Sequence, residues 1–323
     1  MKHFLDSDIE IILKNSNDLL KNFENKKILL TGGNGFIGKY FVEVFRRLNY
    51  KLKKPIKLVV FDKNVRSKKI DQNIDLIKKD LSKSFKTKTK FDFIIHATGI
   101  ASPFYYRKYP LETIDVTIEG IKNCLNLAKG NKTKFFYFST SEIYGNPDKK
   151  NIPTREDYNG NVTSIGPRSC YDESKRLGET YCYIYKKYFN THTNIIRPFN
   201  VYGPGMKQND YRIFPNFISN ILRNKILNIY GSGSQTRTYC YITDAIEGFL
   251  RVMCLGKSGE AYNIGNTNPE ISVKEVIKIL NKVYKKKIKS KQIDYPNSYP
   301  DDEPLRRCPD ISKAKKHLSY KPK

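Results

Sequence analysis

The chain has 323 residues, 39% hydrophobic and 28% charged, a soluble globular profile with room for one large domain or two smaller ones. No apolar run approaches the ~20 residues that span a bilayer. The formal net charge of +27 comes from lysines scattered along the whole chain without a nucleic-acid-binding signature, so it reads as solvated surface whose field favours an anionic small molecule. Six cysteines, Cys124, Cys170, Cys182, Cys240, Cys254 and Cys308, form no C-x-x-C pair, and the four histidines lack zinc spacing. Reduced thiols and no metal site are expected. Residues 1–10 hold Asp6, Asp8 and Glu10 and no apolar core before a cleavage site, so a cytoplasmic location is expected.

Residues 4–25 place Phe4, Leu5, Ile9, Ile12, Leu13, Leu19, Leu20 and Phe23 at roughly helical spacing, which predicts a helical extension with a packing role. Lys27-Ile28-Leu29-Leu30 then reads as a strand running into Thr31-Gly32-Gly33-Asn34-Gly35-Phe36-Ile37-Gly38, and a helical pattern follows at Tyr40, Phe41, Val44, Phe45 and Leu48. Strand, glycine loop and helix form the context of a dinucleotide fingerprint. Glycines let the backbone turn tightly and approach a pyrophosphate resting on the helix N-terminus. The next strand, 56–61, ends in Asp62, 24 positions after Gly38, where a carboxylate meets the adenosine ribose hydroxyls and repels a 2′-phosphate. This favours NAD over NADP.

A short strand near Leu76-Ile77 precedes Asp80-Leu81, and strand 91–96 ends in the small residues Ala97-Thr98-Gly99, which leave space for a cofactor against the sheet. His96, on this buried strand, reads as structural rather than catalytic. After a helix over 111–129, strand 135–138 delivers Ser139-Thr140-Ser141-Glu142 at its C-terminal end, the end that faces the ligand crevice in an open parallel sheet. About thirty residues later comes Tyr171-x-x-x-Lys175. On a helix, residues four apart share a face, so the ammonium is expected to lower the phenol pKa and prepare a base. A helix with an aromatic stripe at Tyr181, Tyr185 and Tyr188 follows, then a strand at 194–197. From Pro198 onward proline and glycine crowd the chain and the βα alternation weakens. The expected fold is a Rossmann-type doubly wound parallel sheet with a smaller C-terminal α/β substrate lobe. Residues 1–26 form the extension, 27–197 with about 233–258 the NAD-binding domain, and 198–232 with 259–323 the lobe.

The glycine loop, Thr140, Tyr171 with Lys175, and Arg197-Pro-Phe-Asn-Val-Tyr-Gly-Pro-Gly205 together resemble the extended short-chain dehydrogenase/reductase family of nucleotide-sugar enzymes, from about residue 26 onward. Ser139-Thr-Ser-Glu-Ile-Tyr-Gly145, Gly166-Pro-Arg-Ser-Cys-Tyr-Asp-Glu-Ser-Lys-Arg176, Tyr230-Gly-Ser-Gly-Ser-Gln-Thr-Arg237 and Asp301-Asp302 with Arg307-Cys-Pro-Asp310 are similar to motifs of the UDP-glucuronate decarboxylase branch. A sugar 4,6-dehydratase carries an aspartate where this chain has Ser141, and 4-epimerases usually lack the glutamate. A 4-epimerase or 4,6-dehydratase is the enzymatic alternative, and a non-catalytic NAD-binding module the non-enzymatic one. The stretch from His96 to Pro103 departs from the decarboxylase pattern.

The resemblance implies NAD as cofactor, a nucleotide-sugar substrate and a homodimer built through the helices near 111–129 and 170–189. It implies catalytic roles for Tyr171, Lys175, Thr140, Ser141, Glu142 and Arg237, with Arg237 handling either the sugar carboxylate or phosphate. Cofactor contacts are expected at Gly32, Gly35, Phe36, Ile37, Gly38, Asp62, Asp80, Leu81, Ala97, Thr98, Tyr171 and Lys175. Substrate contacts are expected at Asn200, Arg237, Arg307, Arg306 and Tyr105.

Overall fold

In the computed structural model, residues 4–284, 287–294 and 304–323 are described. Asp301 and Asp302 lie outside them. The chain opens with helix α1 (Asp6–Asn15) and a 3₁₀ turn (Leu20–Phe23), so the predicted extension is broken by Ser16 to Leu19. There follow β1 (Lys27–Thr31), α2 (Phe36–Leu48), β2 (Lys57–Asp62), β3 (Lys68–Asp71), β4 (Ile74–Lys78), β5 (Phe93–His96), α3 (Pro103–Lys108), α4 (Pro110–Ala128), β6 (Lys134–Phe138), α5 (Ser169–Phe189) and β7 (His192–Pro198). The second half holds β8 (Val201–Tyr202), α6 (Ile213–Leu222), β9 (Leu227–Tyr230), β10 (Thr236–Thr238), β11 (Cys240–Tyr241), α7 (Ile242–Leu255), β12 (Ala261–Ile264), β13 (Glu270–Ser272), α8 (Val273–Tyr284), β14 (Ser290–Ile293), β15 (Arg306–Arg307) and α9 (Ser312–Leu318).

Eight strands form the main sheet in the order β12-β7-β6-β5-β1-β2-β4-β3. All pairs are parallel except β3–β4, an antiparallel edge hairpin that periodicity did not predict. The order reverses between β1 and β5, and that switch point opens a crevice beyond the strands' C-terminal ends. The central strands are apolar on both faces, as helices covering both sides require. One layer comprises α2 and α7, with Phe138 set edge-on to Phe41 and Phe249 at centroid distances of 5.9 and 4.9 Å. Helix α1 joins this layer through the buried Ile9, Ile12 and Leu13. The opposite layer is α4 and α5, packed on Ile94, Phe135 and Tyr137. The extension is therefore part of the core.

The lobe has its own apolar centre, made by Phe217, Ile221, Leu227, Ile229, Val276 and Ile277. Its boundaries differ from the sequence expectation at two places. Strand β12 pairs in parallel with β7 on the main sheet, and α9 packs on α7 and β12, so much of 259–323 returns to the larger layer. Tyr320, fully buried, fits against Gly248, where a Cβ would lie 2.9 Å from its ring. Conversely β10, expected with the NAD-binding part, forms a lobe sheet with β13 and β15. Strands of two to four residues carry too little periodicity for sequence to assign them to a sheet.

Candidate active site

The glycine loop sits at the switch point. Gly32 has φ +75°, and a Cβ there would lie 3.0 Å from the Ala97 carbonyl oxygen and the Thr98 backbone. At Gly38 a Cβ would come within 2.2 Å of the Gly32 carbonyl oxygen. Only hydrogen fits at either place, so the loop closes onto the end of β5. Asp62, at the end of β2, accepts hydrogen bonds from the backbone N–H groups of Asn34 (2.9 Å) and Asn64 (2.8 Å). Its carboxylate thus braces the glycine loop and stands where a ribose is expected. Thr98 Oγ1 is buried beside Gly32 without a hydrogen-bond partner. A narrow cradle with an unsatisfied hydroxyl and a carboxylate at its far end fits NAD. Phe36 stands edge-on to Tyr40 at 5.8 Å, and Ile37 packs on the core, so both anchor the start of α2. Asp80 accepts from the Ser82 hydroxyl (2.7 Å) and pairs with Lys63 at 3.2 Å. Burial opposes its ionisation, but these donors hold its carboxyl below the usual range. Leu81 is buried under α4.

The base-bearing elements meet at the C-terminal end of β6. Thr140 caps a 3₁₀ turn (Ser141–Tyr144), its hydroxyl accepting the Glu142 N–H at 3.2 Å and hydrogen-bonding the Tyr171 phenol. Helix α5 begins at Ser169, which sets Tyr171 and Lys175 one turn apart, both buried. Lys175 Nζ donates to the Phe138 carbonyl oxygen at 2.7 Å and lies 5.9 Å from the Tyr171 ring centroid. Burial lowers its pKa to about 8, with Glu179 acting the other way. The expected lowering of the Tyr171 pKa is not what this geometry produces. Burial raises it, the Thr140 hydrogen bond opposes that, Asp172 adds to the rise, and Arg212 and Arg168 act against it. The lysine is turned to a carbonyl instead. Tyr106 stacks on Tyr171 at 5.0 Å with a 7° interplanar angle. Arg212 was not legible in the sequence, because it comes from a segment without a local motif.

A second cluster adjoins the first. Glu142 pairs with Arg307 in a fork, with contacts of 2.6 and 2.7 Å, and with Arg168. Arg168 also donates to Asp172 at 3.3 Å. Arg307, expected near the diphosphate, is thus turned to Glu142. Its strand neighbour Arg237 donates to the carbonyl oxygens of Thr236 (2.8 Å) and Pro304 (2.6 Å), which fixes its buried guanidinium against β15. Arg306 forks onto Glu270 at 2.7 and 2.8 Å. Asn200 adopts φ 42° and donates to the Thr238 carbonyl oxygen, so its amide locks the β8 entry. Ser141 is buried in the 3₁₀ turn. Tyr105 belongs to an aromatic group with Phe104 (5.2 Å) and Tyr211 (6.4 Å) that joins α3 to the loop before α6. His96 is structural as expected: Nδ1 meets Thr31 Oγ1 at 2.9 Å, and burial pushes its pKa to about 3.

A doubly wound sheet with this glycine loop, Asp62 at the end of β2 bracing it, and a buried Thr-Tyr-Lys set at the crevice defines an NAD-dependent enzyme of the extended short-chain dehydrogenase/reductase type. The chain belongs to the NAD dependent epimerase/dehydratase family, whose model matches residues 28–265. It is 36% identical to UDP-glucuronic acid decarboxylase 6 of Arabidopsis thaliana over 306 residues, which is 93% of this chain and 85% of that protein. It is 34% identical to UDP-glucuronic acid decarboxylase 1 of Xenopus tropicalis over 94% of this chain and 70% of that one. A solved UDP-glucuronic acid 4-epimerase from Bacillus cereus, in complex with UDP-glucuronic acid and NAD, superposes with a TM-score of 0.74 at 27% identity, covering 92% and 94% of the chains. A dTDP-glucose 4,6-dehydratase from Streptomyces venezuelae, with a TM-score of 0.79 at 22% identity, covers 92% of each chain and shares the fold.

Proposed function

We propose that this protein is a UDP-glucuronate decarboxylase that forms UDP-xylose. The observation that carries the reading is Glu142 beside the Thr140–Tyr171 pair, with Ser141 where an eliminating enzyme places its acid. The 34–36% identity with decarboxylases over more than nine-tenths of the chain supports it. When bound, NAD supplies the hydride acceptor beside sugar C4 and a positive charge that favours the Tyr171 phenolate.

Tyr171, hydrogen-bonded to Thr140, takes the O4 proton as C4 gives up its hydride. The C5 carboxylate then stands β to a ketone. Glu142 and Arg237 flank that carboxylate while the C5–carboxyl bond breaks, carbon dioxide leaves, and the electron pair passes to the keto oxygen. C5 takes a proton from solvent in place of the lost carboxyl group, C4 recovers its hydride, and Tyr171 returns to O4 the proton it took. Lys175 holds its charge beneath Tyr171 throughout. The net reaction has no redox change, so no second substrate is consumed. Arg307 steadies Glu142 from the lobe side, and Tyr105 borders the sugar. The general positive charge of the chain favours the anionic substrate.

We also infer a homodimer through the outer faces of α4 and α5, where Leu111, Tyr183 and Tyr188 are exposed. Six free thiols fit a reducing, cytoplasmic setting.

The test is direct. Purified protein incubated with UDP-glucuronate is expected to release carbon dioxide and form a UDP-pentose, read by mass, without net NADH. A 4-epimerase is the second reading, favoured by the likeness to the Bacillus cereus enzyme, and shares the first step. Recovery of an intact UDP-hexuronate inverted at C4 would replace the decarboxylase reading with that one.

A further inference from the structure

Arg168 is costly where it stands. It is the residue that precedes the first turn of α5, its side chain makes no capping bond, and a cation at a helix N-terminus opposes the helix dipole. It is also 3% exposed, so its charge is withdrawn from water. A serine, threonine or aspartate would cap α5 better. Stability of the helix therefore does not account for this residue.

Its contacts do. The guanidinium spans from Glu142, on the turn after β6, to Asp172 on α5, with Nε 3.3 Å from Asp172 Oδ2. Asp172 directly follows Tyr171, and the backbone N–H groups of both donate to the Arg168 carbonyl oxygen, at 2.9 and 3.0 Å. The same residue thus holds the base-bearing turn through its main chain and Glu142 through its side chain. Arg307 grips Glu142 from β15 on the lobe side. Tyr171 and Glu142 belong to different elements, and two groups that act on adjacent sugar carbons need a fixed offset of about half an ångström tolerance.

We propose that Arg168 is a positioning residue that sets Glu142 relative to Tyr171, with Asp172 orienting its guanidinium. The proposal rests on the decarboxylase reading above. Oxidation at C4 needs Thr140, Tyr171 and Lys175, whereas Glu142 serves the steps at C5. Arg168 favours and Asp172 opposes the Tyr171 phenolate, so removing the two together leaves these influences offset, and loss of the brace should spare the first step and impair the later ones.

The experiment uses the full chain with UDP-glucuronate. Arg168→Met combined with Asp172→Leu removes both buried charges, so neither is left unpaired. The expected result is a fall in kcat of about tenfold or more with KM changed by less than about threefold, as for an interaction made only after binding. Protein-bound NADH, read by its absorbance during turnover, is expected to accumulate. Arg168→Lys keeps the cation but loses the fork, and is expected to recover only part of kcat. Wild-type kcat in either variant, or a rise in KM alone, overturns the proposal. A purely structural defect would lower NAD affinity and the melting temperature without NADH build-up, which also overturns it. If the double variant does not fold, the Arg168→Lys kinetics and NADH signal decide alone. A wild-type protein that releases no carbon dioxide sinks the decarboxylase reading instead, whatever the variants do.

Discussion

Tyr171 is buried with its hydroxyl on Thr140, so its removal deletes a proton-transfer group without disturbing a charge. Tyr171→Phe is expected to lower kcat by about 10²–10⁴-fold while NAD affinity holds; retention of activity in a steady-state assay would remove Tyr171 from the role of base. Lys175 adds a pH signature. Its folded pKa of about 8 lies below the ordinary 10.5, because burial disfavours the charged form. Below pH 8 the ammonium is buried at a cost, on the order of 3 kcal/mol at about 1.4 kcal/mol per unit. Between 8 and 10.5 the unfolded chain binds more protons, so this residue's contribution to stability rises with pH. Lys175→Met, which buries no charge, is expected to melt above the wild type at pH 7, with the gap narrowing towards pH 10. A gap that widens instead would contradict the burial. The Tyr-x-x-x-Lys pair was legible because both residues lie on one helix turn. The turning of Lys175 to the Phe138 carbonyl was not, since that partner lies 37 positions away.

At the level of elements, the glycine loop and its flanking strand and helix were readable because every part is contiguous. Helix α1 was readable as a helix with a packing role, but the surface it packs on was not. Its docking is decided by Ile9, Ile12 and Leu13 meeting the face of α2 and α7, and by Tyr241 Oη donating to Asp8 at 3.1 and 3.2 Å. Ile12→Ala is expected to cost about 2–5 kcal/mol of unfolding free energy, read from the denaturant midpoint at unchanged slope. A loss below about 0.5 kcal/mol, typical of surface positions, would show that α1 does not pack on α2 and α7. The lobe strands were the least legible elements. β10 and β15 pair across some seventy residues, so no local pattern announces them.

For the whole molecule, the exposed apolar residues Leu111 of α4 and Tyr183 and Tyr188 of α5 lie on the layer that these two packed helices form. Light scattering is expected to give twice the 37.6 kDa chain mass. Tyr188→Glu with Leu111→Glu should place charges on that face and yield monomers; an unchanged mass in the variant, or a monomeric wild type, would move the interface elsewhere or remove it.

Sequence alone determined the class of fold, the NAD preference and the Thr140–Tyr171–Lys175 set, because each rests on short contiguous motifs: the glycine loop, Asp62 at the end of the next strand 24 positions on, Thr140 at a strand end and Tyr171-x-x-x-Lys175 on one helix turn. Only the tertiary structure decided what surrounds them. Arg168, Arg307 and Glu142 converge from the residue ahead of α5, from β15 and from the turn after β6, and Arg237 is pinned to the backbone carbonyls of Thr236 and Pro304. Charges spaced far apart along the chain acquire partners only when the sheet and lobe close around them. Burial then sets which group keeps its proton, and no local pattern of residues carries that information.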